Sequence, residues 1–345
     1  MKASLLLLFL NLALSSTTFP QENPITAGIA KLMEEKQVPG ISYTYLEQGQ
    51  VKDSFALGVT NQDGSAVDQH TVFSAASLSK PVFAYLVMQL VDEGLIELDS
   101  SLSSYYTYPD IQDEPEYRLV TARMVLSHSS GLPNWRNGKL KFKYRPGERF
   151  SYSGEGYVWL QRVVEHLKGK PLEDLAQQYV FQPLGMTRSS YVFLPAFEEN
   201  HSLSFKKDGK QQPKNKIQSA NAAASLQTTS RDFGIFLEAL LSAKHISPEL
   251  HRLMFAPQVP VDPKQGQDQE LFWGLGVGIQ VTSAGKQIFQ WGDNYTFRGY
   301  FTADVENRNA VVYLSNSENG LKPVRELVDL VLADPQPACD WMDYD

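Results

Sequence analysis

Residues 73–99 read FSAASLSKPVFAYLVMQLVDEGLIELD, and this stretch decides the fold. From 82 to 91 it is apolar on nearly every side, where a surface helix would show a single apolar stripe. The pattern predicts a helix from about Ser77 to Glu93, stopped by Gly94 and buried all round. At its start stands Ser77-Leu78-Ser79-Lys80. A serine three residues before a lysine shares a helical face with it, which brings the amine within reach of the hydroxyl. A helix start also offers unpaired backbone N–H groups and the positive end of the dipole, which suits an oxyanion formed when serine attacks a carbonyl. The lysine acts as a base only when neutral, so burial or a nearby cation has to lower its pKa. Spacing alone is weak, since Ser204…Lys207 and Ser283…Lys286 repeat it. Ser77 differs from both in opening a buried helix.

On the N-terminal side, Asn23-Pro24 reads as a cap with proline in the first turn, and Ile25, Ile29, Leu32 and Met33 follow at helical spacing. Residues 41–46 and 51–57 read as hairpin strands. Strands return at 272–281, 286–291, 299–304 and 310–316, and Val324, Leu327, Val328, Val331 and Leu332 mark an amphipathic helix. This order predicts an α+β fold. An antiparallel sheet of about five strands, built from both chain ends, is flanked by N- and C-terminal helices and carries an inserted helical subdomain. The expected sheet unit is 24–72 with 217–333, the helical unit is 73–216, and a cleft lies between them. Residues 206–216, with five lysines, read as a solvated loop, and 334–345 as a disordered tail.

The 345 residues are 42% hydrophobic and 20% charged, which permits a sizeable core and rules out global disorder. A net charge of −8 argues against general nucleic-acid binding. The single cysteine, Cys339, excludes an internal disulfide framework and a cysteine-rich metal site. There is no His-Glu-x-x-His, no phosphate-binding glycine loop and no Gly-x-Ser-x-Gly, so no metal or cofactor is expected. Lys2, the apolar run LLLLFLNLAL over 5–14 and the small residues Ala13, Ser15 and Ser16 have the layout of a secretory signal, expected over 1–18. The run is short of the ~20 residues a spanning helix needs. The expectation is an exported protein, periplasmic or secreted, with no stable membrane span.

Six stretches in order carry a resemblance: VPGISYTYLEQGQV, the 73–99 segment, VLSHSSGLP, RPGERFSYSGEGYVWL, PLGMTRSS and NAAASLQTTSRDF. Over residues 24–333 the chain resembles the serine β-lactamase and penicillin-binding-protein superfamily, in the branch of class C β-lactamases, D-alanyl-D-alanine carboxypeptidases and related esterases. The resemblance implies that Ser77 is acylated, that Lys80 is its partner, and that Tyr152 of Tyr152-Ser153-Gly154 shuttles protons. It gives His128 a loop-shaping role beneath the site.

Two departures matter. The second motif of the family ends in asparagine where this chain has Gly154, leaving Ser153 or Glu155 to compensate. The third motif has as its counterpart Trp291-Gly292-Asp293-Asn294-Tyr295-Thr296, which puts Asp293 where a cation is usual, subject to a slip of one residue. Arg298 replaces that cation if its side chain turns inward. Substrate contacts are therefore expected from Asp293, Asn294, Thr296 and Arg298, with a second oxyanion donor from the backbone near Thr296. An aspartate there repels a substrate carboxylate by ~1–4 kcal/mol at 4 Å, so weak or absent β-lactam hydrolysis is expected. The expected function is a serine hydrolase acting through an acyl-enzyme on a small ester, D-amino-acid peptide or β-lactam. The alternative is a catalytically weakened relative that binds or senses a peptidoglycan fragment.

Overall fold

Side chains alternate across a β-strand, and in this protein both faces of the main sheet are covered. The computed structural model describes residues 23–261 and 270–343. The expected signal peptide, 1–18, lies outside the described residues.

The strands in chain order are β1 (Gly40–Glu47), β2 (Gln50–Gly58), β3 (Phe73–Ala76), β4 (Ser204–Phe205), β5 (Gln211–Gln212), β6 (Leu226–Thr228), β7 (Val259–Pro260), β8 (Leu271–Trp273), β9 (Gly278–Thr282), β10 (Gly285–Asp293), β11 (Arg298–Asp304) and β12 (Ala310–Ser315). The helices are α1 (Pro24–Lys36), α2 (Ser79–Asp92), α3 (Ala122–Leu126), α4 (Gly154–Lys168), α5 (Leu172–Ala176), α6 (Gln182–Leu184), α7 (Ser230–Leu241), α8 (Pro248–Met254), α9 (Val324–Asp329) and α10 (Pro337–Met342). The main sheet runs β2-β1-β12-β11-β10-β9-β8-β7, every neighbour antiparallel. β1 meets β12 with Tyr43 opposite Tyr313, which joins the two ends of the chain. Tyr43, Phe289, Tyr300 and Tyr313 face Ile29 and Leu32 of α1, Leu327 of α9 and Cys339 of α10. Ile288, Phe301, Val312 and Leu314 belong to the opposite core, with α2 and α7.

The sheet has eight strands, not about five. The single apolar run at 272–281 is two strands, because the chain turns at Gly276. Its φ of +94° is left-handed, and a Cβ there would lie 2.1 Å from Ala84 Cβ of α2. The short β7 then adds an edge. Residues 73–76, expected in the helical unit, form a strand paired with β6.

The expected disordered tail, 334–345, is corrected over its described residues, 334–343. Its proline and acidic content conceals a docked helix, α10, with Ala338 and Cys339 in the core. Buried Gln336 ties the segment down. It accepts from Gln280 Nε2 at 2.6 Å and donates to Gln287 Oε1 at 2.8 Å. Gln336→Ala leaves those buried partners short of a bond, an expected cost of about 1–3 kcal/mol. A urea midpoint equal to that of the unsubstituted protein would show that the segment is only loosely attached.

Candidate active site

Ser77 does not lie in the helix but in the turn before it. α2 begins at Ser79, and Pro81 falls in its first turn, where a missing N–H costs little. The preceding Ala76 is buried with φ +50°, a left-handed conformation that a non-glycine residue adopts only when its surroundings impose it. The turn is held by Leu78 N–H to Ala75 O at 3.0 Å and Lys80 N–H to Ser77 O at 3.1 Å. Ser79 Oγ donates to Ala76 O at 2.6 Å and accepts from Leu226 N–H of β6 at 2.9 Å. Ser77 emerges half-buried at the surface of an otherwise closed segment.

Lys80 is fully buried, and its Nζ donates to Ser77 Oγ at 3.0 Å and to Ala223 O at 2.8 Å. Both partners are neutral oxygens, so among the described residues burial acts on the ammonium with no bonded carboxylate to offset it. Burial lowers the Lys80 pKa from 10.5 to about 7. The amine also stands over the Tyr152 ring, 4.7 Å from its centroid. The Tyr152 phenol oxygen accepts from Gln290 Nε2 at 2.9 Å. Its ring lies against His128 at 4.1 Å between centroids and against Trp291 at 5.0 Å. His128 accepts the Ser153 N–H on Nδ1 at 3.0 Å, which fixes the chain just after Tyr152. Burial, and then the nearby Lys80 charge, hold His128 well below the ordinary histidine range.

Sequence reasoning missed Gln290. It is a buried polar residue directly before Trp291-Gly292, a position where an apolar strand residue would be expected, and that was the signal available.

Gly154 begins α4. A Cβ there would lie 2.7 Å from Asn134 O and 2.9 Å from the Trp135 ring. The space that the family's asparagine would need is thus filled by the 134–135 segment. Neither candidate substitute points at Lys80. Ser153 Oγ caps α4 through Gly156 N–H at 3.0 Å and donates to Pro133 O. Glu155 is buried against Arg136, with contacts of 2.7–3.1 Å.

On β10, Gly292 passes the Ser77 turn so closely that a Cβ would lie 2.4 Å from Ala75 O. Trp291, not Asp293, is the residue packed on Tyr152. Asp293 instead forms an ion pair with Arg298 at 3.3 Å, its direct cross-strand partner. Arg298 therefore arrives with its charge already offset. Asn294 Nδ2 donates to Ala224 O at 3.2 Å, one residue past the Lys80 acceptor. The Thr296 hydroxyl meets Ser204 Oγ at 2.8 Å, and its N–H bonds Asn294 O at 2.8 Å. The donor expected near Thr296 is thus committed inside the hairpin loop.

An antiparallel sheet covered on both faces, with Ser-x-x-Lys at the start of a buried helix, is the architecture of β-lactamase/transpeptidase-like proteins. The chain belongs to the beta-lactamase family, whose model matches residues 25–334. Penicillin-binding protein 4 of Amycolatopsis lactamdurans is 31% identical over 176 residues, 46% of this chain and 46% of that protein. Lovastatin esterase of Penicillium rubens is 30% identical over 158 residues, 35% of this chain and 39% of that protein. The chain spans about half the length of the curated relatives it matches. The octameric penicillin-binding protein homologue from Pyrococcus abyssi superposes with a TM-score of 0.75 at 24% identity, covering 89% of this chain and 76% of that one. A class C beta-lactamase gives 0.76 at 19% identity, covering 90% and 96%. These likenesses show the shared fold.

Restoring the family residue tests the packing at the second motif. Gly154→Asn forces the 134–135 segment outward and is expected to cost about 1–3 kcal/mol as overpacking, read as a lower urea midpoint. A variant as stable as its parent would mean that the segment yields freely.

Proposed function

We propose that the chain is a serine hydrolase that acts through an acyl-enzyme on an ester or amide. The observation that carries this reading is the 3.0 Å contact between Ser77 Oγ and a buried lysine amine whose described partners are uncharged. Neutral Lys80 takes the Ser77 proton as Oγ bonds the substrate carbonyl carbon, and the carbonyl oxygen becomes an oxyanion beside the Ser77 N–H. Tyr152, its phenol positioned by Gln290, passes the proton to the leaving group as the bond to it breaks. Water then attacks the acyl carbon, gives its proton back along the same path to Ser77 Oγ, and releases the acid. In this reading Trp291 stands at the position of the third-motif cation. Asp293 and Arg298 close the hairpin, and Asn294 and Thr296 brace it. A relative named as an esterase and another named as a penicillin-binding protein both support acyl transfer at such a site. The offset Asp293–Arg298 pair supports an ester over a β-lactam.

Ser77→Ala is expected to lower kcat for p-nitrophenyl esters by several orders of magnitude and to abolish fluorophosphonate labelling. An adduct mapped to another serine would refute the assignment. Because the deprotonated amine is the active form and its pKa is about 7, kcat/KM should rise about tenfold per pH unit below that value and level off above it. A profile that falls as pH increases through 7 contradicts Lys80 as the base. Nitrocefin turnover is expected to be far slower than ester turnover, and rapid turnover lost in Ser77→Ala would overturn the substrate preference.

A further inference from the structure

Five lysines crowd residues 206–216, and the mechanism above uses none of them. A solvated loop does not describe Lys214. Its Nζ is buried and makes no hydrogen bond among the described residues. The amine lies 4.5 Å from the centre of the Phe297 ring and 5.8 Å from that of Phe193. The neighbouring Glu198 is held by Lys216 at 2.6 Å, so it does not serve as the missing counter-charge. Burial lowers the Lys214 pKa to about 7.

Beside this amine lies a cavity of about 560 Å³, walled by Lys206, Lys214, Ser74, Ser204, Asn294 and Thr296. It therefore combines a second lysine, three hydroxyls and a carboxamide. Its inner wall is the turn whose Ala223 carbonyl accepts from Lys80 and whose Ala224 carbonyl accepts from Asn294. The cavity thus begins one residue from the acceptor of the catalytic amine. Phe297, which Lys214 faces, leads directly into Arg298 and β11.

We propose that this cavity is an anion subsite that receives a carboxylate borne by the substrate, with Lys214 as its counter-ion. The proposal rests on the acyl-enzyme reading of Ser77 and gives that reading a substrate class. The flexible four-carbon stem lets the amine leave its aromatic seat for a carboxylate, and Lys206 at the mouth supplies the attracting field. With Asp293 and Arg298 offsetting each other, the charge that draws a negative group is on the Lys214 side of Asn294.

The test compares p-nitrophenyl hemiesters of succinate, glutarate and adipate with their methyl-capped neutral counterparts. A butyryl ester of 4-hydroxybenzoate, set against its methyl ester, places the charge on the leaving group instead. The unsubstituted protein is expected to prefer the charged ester in one of these arms. Lys214→Met and Lys214→Gln should lower that charged-to-neutral ratio of kcat/KM by about tenfold, the worth of one charge-assisted hydrogen bond. Lys214→Arg should restore it. A purely structural lysine would change both esters alike, and that result, or an unchanged ratio in both arms, overturns the proposal. Calorimetry of glutarate with Ser77→Ala, with and without Lys214→Met, reads the subsite independently of turnover. Lys214-dependent binding here, together with failure of fluorophosphonate to label the unsubstituted protein, would sink the hydrolase reading while leaving the subsite standing. Glutarate binding that Lys214→Met does not alter would refute the subsite.

Discussion

An amine kept from water between a hydroxyl and a carbonyl is the constraint around which this molecule is arranged. Keeping a charged ammonium there costs several kcal/mol without a counter-ion, so burial lowers the Lys80 pKa to about 7 and brings its neutral form within reach near neutral pH. The arrangement survives only because its neighbours cannot relax. Ser79 is bonded on three sides: to Ala76 O and Leu226 N–H through its hydroxyl, and to the Tyr191 hydroxyl through its carbonyl. Those bonds fix the left-handed turn at Ala76 that lifts Ser77 out of the core.

The tyrosine is held by a different device, an aromatic nest. His128, Trp273 and Trp291 lie against its ring. Behind Trp291 stands Trp341 of α10, with ring centroids 5.4 Å apart. The C-terminal segment is therefore part of the scaffold that orients Tyr152. Trp273 meets the ring edge-on while His128 and Trp291 are tilted against it, and such aromatic pairs add about 0.5–1.5 kcal/mol each beyond the area they bury, which holds the phenol where Gln290 donates to its oxygen.

How much of this is legible in the sequence follows from the range of each interaction. The Ser77–Lys80 contact is readable because helical spacing fixes it locally, even though the helix itself starts two residues later than the pattern predicts. The strands at both chain ends are readable from their apolar runs, but the break at Gly276 depends on Ala84 of a distant helix. The eight-strand count therefore depends on tertiary contact. Gln290, Gln336 and Trp341 escape the sequence reading for one reason: each derives its role from a partner far along the chain, to which local periodicity is blind. The departure at Gly154 is visible in the sequence, yet its cause is not, since the segment that fills the space lies some twenty residues earlier, at Asn134 and Trp135.

The aspartate in the third motif shows how a visible departure can mislead. Taken alone, Asp293 puts a negative charge where the resemblance leads one to expect a cation. Its register partner on β11 is Arg298, and opposite charges facing each other across two strands stabilise the pairing by about 0.2–1 kcal/mol at the hairpin they close. The pair is local and balanced, so it takes little part in choosing a substrate's charge. In the proposed subsite, discrimination comes instead from the buried Lys214 amine, which has no hydrogen-bond partner among the described residues. Without such a partner, its charged form is disfavoured by burial, which lowers its pKa to about 7. A bound anion relieves that tension, whereas an internal carboxylate would have neutralised the lysine and left the cavity without selectivity.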